Sequence, residues 1–188
     1  MKTYLSNQLR YGIKIIFNKK PYSIEKNEFV KPGKGQVFYR IKMRNLITFK
    51  SIEKTFRTTD FFKEANIINI KLKYLYSINE IYYFINQDNC EQISADKKYI
   101  GNNLIWLFSN ENYKVTLWNN NPISVIPNKF IKIKVKDTTP NVKSDTKSSF
   151  NKIAVLSNNF HIKVPSFIQI GDLIKVNTIT KEYISRVK

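Results

Sequence analysis

Tyr22-Ser23-Ile24-Glu25-Lys26-Asn27-Glu28-Phe29-Val30 is followed by Lys31-Pro32-Gly33-Lys34-Gly35-Gln36 and then by Val37-Phe38-Tyr39-Arg40-Ile41-Lys42-Met43-Arg44. Two runs of strand-forming residues facing each other across a short polar loop predict an antiparallel hairpin. In the second run Val37, Tyr39, Ile41 and Met43 fall on one face, and Arg40, Lys42 and Arg44 on the other, because side chains alternate along a strand. One face builds a core and the other is cationic. Pro32-Gly33 suits the middle of a type II turn, with Pro fixing φ at the first central position and Gly supplying the positive φ at the second. Lys34 then sits just past the apex, and Gly35 after it leaves the backbone thin on both sides.

The same pattern, short alternating runs cut by turn residues, extends over the rest of the chain and points to barrels or sandwiches. Residues 11–17 form a first strand, ended at Asn18-Lys19-Lys20-Pro21, and residues 53–58 close the block. The pattern restarts with strands at 68–75, 81–86 and 115–118, a short helix over 95–99 capped by Ser94, and one more strand between Pro122 and Pro127. A third block opens at Phe130, where Ile131, Ile133 and Val135 alternate with Lys132, Lys134 and Lys136. A polar stretch over 137–151 has the composition of a surface loop. Strands at 154–156, 160–164, 173–177 and 183–187 follow, with turns at Asn158-Asn159 and Thr180-Lys181. The expectation is an all-β chain of three small domains, residues 1–65, 66–128 and 129–188.

Thirty-two Lys and Arg against fourteen Asp and Glu give a net charge of +18, and 42% of the 188 residues are hydrophobic. That is enough apolar material for folded cores, and a body so basic attracts polyanions, nucleic acid first. Part of the lysine excess goes with an Asn- and Ile-rich composition. Cys90 is the only cysteine, so neither an intrachain disulfide nor a cysteine zinc cluster forms. Met1-Lys2-Thr3-Tyr4 lacks the apolar core of a signal peptide, and no stretch is long and apolar enough to span a bilayer. A cytoplasmic protein without a membrane role is expected. His161, the only histidine, sits in an apolar strand without a second metal ligand or triad partner. Neither a Walker A pattern nor a dinucleotide glycine motif occurs, so no catalytic residue, metal or cofactor is assigned and a self-contained enzyme is not expected.

The string Glu28-Phe29-Val30-Lys31-Pro32-Gly33-Lys34-Gly35-Gln36 resembles the first-domain loop of the bacterial elongation factor P family. Glu53-Lys54-Thr55-Phe56 and Thr59-Asp60 resemble the end of that domain, and Tyr74-Leu75-Tyr76 and Glu91-Gln92-Ile93-Ser94-Ala95-Asp96 parts of the second. Lys152-Ile153-Ala154 through Val164-Pro165 to Ile170-Gly171 follows the third-domain signature, and Glu182-Tyr183-Ile184-Ser185-Arg186-Val187-Lys188 the C-terminal end. Two departures stand out. Asn159 replaces the signature's glycine, and Ser144-Asp145-Thr146 stands where the family often has Gly-Asp-Thr, a motif associated with the E-site codon.

The resemblance implies an SH3-like (KOW-like) first domain carrying the Lys34 loop and two OB-fold domains, in an L-shaped, tRNA-like arrangement. It implies a monomeric elongation factor that binds the ribosome between the P and E sites, touching rRNA of both subunits, the P-site peptidyl-tRNA and the E-site mRNA codon. Lys34, supported by Pro32, Gly33 and Gly35, would be the modified residue near the peptidyl-transferase centre, relieving stalling at consecutive prolines. Its β-lysylation, with or without hydroxylation, would need a lysyl-tRNA-synthetase-like enzyme and a lysine aminomutase. Lys31, Arg40, Lys42 and Arg44 are candidates for phosphate contacts around the acceptor end, and Asp145, Thr146, Tyr183 and Arg186 for further RNA contacts. The alternatives are a general single-stranded RNA binder built on OB folds and a family paralogue with another stalling-motif preference.

Overall fold

The computed structural model describes residues 2–139 and 151–187. Asp145 and Thr146 lie outside the described residues. The fold is all-β, with one four-residue helix and two short 3-10 segments beside sixteen strands among the described residues.

The first unit holds β1 (Thr3–Leu5), β2 (Lys14–Phe17), β3 (Lys20–Val30), β4 (Phe38–Asn45), β5 (Ser51–Arg57) and β6 (Phe61–Lys63). Strands β2-β3-β4-β5 form one antiparallel sheet and β1-β6 a second, smaller one. The alternation expected of the hairpin is present: Ile41 and Met43 are fully buried, while Arg40, Lys42 and Arg44 are exposed. They join Leu9, Ile15, Tyr22, Ile24 and Phe62 in the core, with Phe56 edge-on to both Phe17 and Phe62. The first long strand starts later than expected, at Lys14, because Gly12 at φ +85 turns the chain and leaves Tyr11 in solvent.

The second unit comprises β7 (Ile67–Ile78), β8 (Ile81–Ile85), β9 (Gln92–Asp96), β10 (Asn112–Trp118) and β11 (Asn121–Ile126), in the order β11-β10-β7-β8-β9. The expected helix is displaced. Residues 95 and 96 still belong to β9, whose Tyr82↔Ala95 and Ile81↔Asp96 rungs hold them in the sheet, so α1 spans Lys97–Ile100 behind Asp96, and Ser94 caps nothing. Ladder hydrogen bonds outweigh a favourable capping residue two positions early.

In the third unit β12 (Phe130–Thr138), β13 (Asn151–Leu156), β14 (His161–Pro165), β15 (Leu173–Asn177) and β16 (Glu182–Arg186) run in the order β14-β13-β12-β15-β16. Asn159 takes φ +62 and Lys181 φ +60 in the two tight turns, the first a position where Asn substitutes for glycine at little cost.

The second and third units have cores of their own, and one side chain of the second enters the core of the third. Trp106, at the end of a 3-10 segment of the second, is 1% exposed and packs with Ile133, Val135, Leu156, Ile174 and Val176 of the third. Phe160 meets its ring edge-on at 5.0 Å, and the Asn158 side-chain amide donates to the Ile105 carbonyl at 2.6 Å.

Candidate functional site: the Lys34 hairpin and its cationic face

Strands β3 and β4 pair from Tyr22↔Asn45 to Val30↔Phe38, and Lys34 is the central residue of the seven beyond that last rung. The stem below it is firmly held. Asn27 donates from its side-chain amide to the carbonyls of Ser6 and Leu9, at 2.8 and 2.9 Å, and the Ser6 hydroxyl donates to Arg57 and Asp60 carbonyls. One rung below the loop Phe29 packs on Tyr39 with ring centroids 5.3 Å apart, and Phe29 remains 56% exposed.

The loop differs from the expected type II turn. Gly33 does not take a positive φ; Gly35 does, at +109. With seven residues between Val30 and Phe38 the chain need not reverse within four, so Pro32-Gly33 only bends it and the left-handed step falls after Lys34. The thinness remains: nothing approaches an added Cβ at Gly33, and at Gly35 only the Pro32 ring comes near, at 3.9 Å. Lys34 is exposed and, among the described residues, has no ion-pair partner.

The cationic face of β4 is more neutralised than its sequence suggests. Arg44 Nε bonds Glu25 Oε1 at 2.6 Å, and the Glu25 carboxyl lies below its usual range through the Ser51 hydroxyl and Arg44. Arg40 stands 3.8 Å from Glu53. Lys26 pairs with Glu28, whose carboxyl is lowered by that contact. Lys42 and Lys31 are exposed without an ion pair among the described residues. Tyr183 is half-buried against the third core, and Arg186 bonds Asp172 at 2.9 Å, far along the chain from the Lys34 loop. The exposed His161 stands on β14, and among the described residues no group of His, Cys, Asp or Glu could hold a metal ion.

Three family models match the chain in order: the elongation factor P KOW-like domain over residues 5–62, the elongation factor P OB domain over 67–125, and the elongation factor P C-terminal domain over 131–186. The chain belongs to the elongation factor P family. It is a translation factor of that family, with the three β domains of elongation factor P. Two solved structures are similar in fold. A translation initiation factor eif-5a family protein from Naegleria fowleri is 16% identical with a TM-score of 0.53, the match covering 67% of this chain and 96% of that one. Eukaryotic translation initiation factor 5A from Methanococcus jannaschii is 16% identical with a TM-score of 0.52, over 66% of this chain and 94% of that one. Among the described residues of this elongation factor P family member no helix is long and apolar enough to cross a membrane.

What the sequence reading missed lies on the other two units. Lys71 on β7 faces Lys114 on β10, and Lys132 on β12 faces Lys175 on β15. The alternation around Lys132 was a usable signal for one side of the second pair. Which residue stands opposite is a matter of register, and nothing local in the sequence announces it.

Proposed function

We propose that this protein is a cytoplasmic, monomeric elongation factor that binds the ribosome between the P and E sites, beside the peptidyl-tRNA, and presents Lys34 to the peptidyl-transferase centre. The observation that carries the reading is the placement of Lys34: an exposed ammonium at the middle of a seven-residue loop, on a stem fixed by Asn27, with glycine on either side. A compact cation on a slender support suits a crowded cavity lined by RNA phosphates.

Proline reacts slowly as donor and acceptor because its ring fixes φ and hinders its nitrogen. The missing factor is orientation, and holding reactants in the productive geometry supplies several kcal/mol without any acid or base. In this reading the factor is not an enzyme: it steadies the P-site tRNA and its CCA end, and the ribosome's own centre does the chemistry. A β-lysyl group on Lys34, with or without hydroxylation, would lengthen the arm and add donors, and calls for a lysyl-tRNA-synthetase-like enzyme and an aminomutase in the host. Lys31 and Lys42 are the candidates on the hairpin best placed to meet phosphates, since Arg40 and Arg44 already face carboxylates.

The test is translation of a reporter with consecutive prolines on purified ribosomes, using the protein isolated from its own cells. Rescue that is lost in Lys34→Ala supports the reading. Failure of the modified protein to rescue, with ribosome occupancy confirmed, overturns it.

A further inference from the structure

The second and third units each set two lysines directly opposite one another on an outer sheet face: Lys71↔Lys114 and Lys132↔Lys175. Like charges across a rung destabilise a sheet. Lys71, Lys114 and Lys132 are exposed, Lys134 is exposed two residues along β12, and among the described residues none of these five lysines makes an ion pair. The two sets adjoin. One depression is lined by Lys71 and Lys114, a second by Lys132 and Lys134, and both have Tyr113 and Asn128 in their walls. Glu111 is the only acid among the described lining residues. Because Trp106 is buried in the third core, the two walls are tied together.

We infer that this groove between the second and third units is a binding site for the phosphate backbone of helical RNA. Four unpaired ammonium groups along two adjoining depressions match closely spaced phosphates, and bound phosphate would relieve the two like-charge pairs that the fold alone leaves opposed. Single-strand binders add aromatic platforms on which bases stack. Here Phe130, the exposed aromatic of the groove, has the Lys175 and Lys129 ammonium groups over its ring at 4.8 and 5.3 Å, so cations compete with bases for its faces. A site that reads phosphates and not bases is suited to a duplex, whose bases are already stacked inside.

The test is fluorescence anisotropy of the full chain with a labelled RNA duplex of about 16 base pairs, and with one of its strands alone, across a KCl series. The variant Lys71→Ala/Lys114→Ala/Lys132→Ala/Lys134→Ala is expected to bind the duplex at least about tenfold more weakly near 100 mM KCl, with the salt slope shallower by about three. Lys2→Ala/Lys20→Ala/Lys50→Ala/Lys63→Ala, which removes the same charge from the first unit, is expected to change affinity less than about threefold. Equal losses in both variants would show attraction by bulk charge and overturn the inference. So would tighter binding of the single strand, equal competition by polyglutamate, or no duplex binding by the unaltered chain at low salt. The groove variant should melt no lower than the unaltered protein, since it relieves opposed charges. If it does not fold, Lys71→Ala/Lys132→Ala, which breaks each pair once, is read in the same way. The assay contains no peptidyl-transferase centre, so its failure leaves the Lys34 reading untouched.

Discussion

The hydroxyl of Tyr113 on β10 donates to the carbonyl of Trp106 at 2.9 Å and accepts the N–H of Phe108 at 2.6 Å. One buried phenol thus fixes both sides of the segment whose indole enters the next unit's core. Trp106→Ala should cost about 3–5 kcal/mol, the usual penalty for deleting a buried tryptophan. Urea melts followed by circular dichroism should show the third unit losing structure first. A loss below about 1 kcal/mol would mean that the second and third units are stable apart.

Tyr113 also sets an alkaline limit. Burial pushes its hydroxyl up to about 12 from 10.0. A group whose folded pKa is raised contributes stability fully present below the unfolded value and lost as pH climbs through the folded one. Stability should therefore fall between about pH 10 and pH 12 by about 2 kcal/mol. In Tyr113→Phe that component of the decline should be absent, although the variant starts lower for want of the two hydrogen bonds. Thermal melts across the alkaline range check both points.

The two glycines beside Lys34 should behave differently. Gly35 takes φ +109, which costs a residue with a Cβ about 1–2 kcal/mol, while Gly33 lies in ordinary conformational space with open room around it. Gly35→Ala should reduce rescue of the proline reporter several-fold while leaving the melting temperature within a few degrees, and Gly33→Ala should be nearly silent. Equal effects would show that side-chain bulk, and not backbone geometry, limits the loop.

On the hairpin face, Lys42→Ala should weaken ribosome binding more than Arg44→Ala. Arg44 is already engaged by Glu25, so its loss frees a carboxylate as it removes a cation, whereas Lys42 makes no ion pair among the described residues. Each effect should be small, about threefold to tenfold in affinity, and greater at low salt. The reverse ranking would mean that Arg44 leaves Glu25 on binding RNA.

Much of the fold was legible because period-two alternation is a local property: Ile41 and Met43 against Lys42 and Arg44 decide a strand and its buried face by themselves. The short strands β1 and β6 were not, since three residues each give too little pattern and only their mutual pairing makes them strands. Lys34 could be singled out from its glycine neighbours and the surrounding string, but the sense of the turn could not, because it depends on where the ladder stops. The ion pairs that quieten Arg40 and Arg44 come from how neighbouring strands align, and the opposition of Lys71 to Lys114 from register between strands far apart in sequence.

Trp106 has a consequence for the making of the chain. Its resting place includes Val176, which leaves the ribosome roughly 70 residues later, at a synthesis rate of about 5–20 residues per second. For several seconds the nascent second unit carries a bare indole with nothing to cover it. The factor is thus most prone to sticking and to chaperone capture late in its own synthesis.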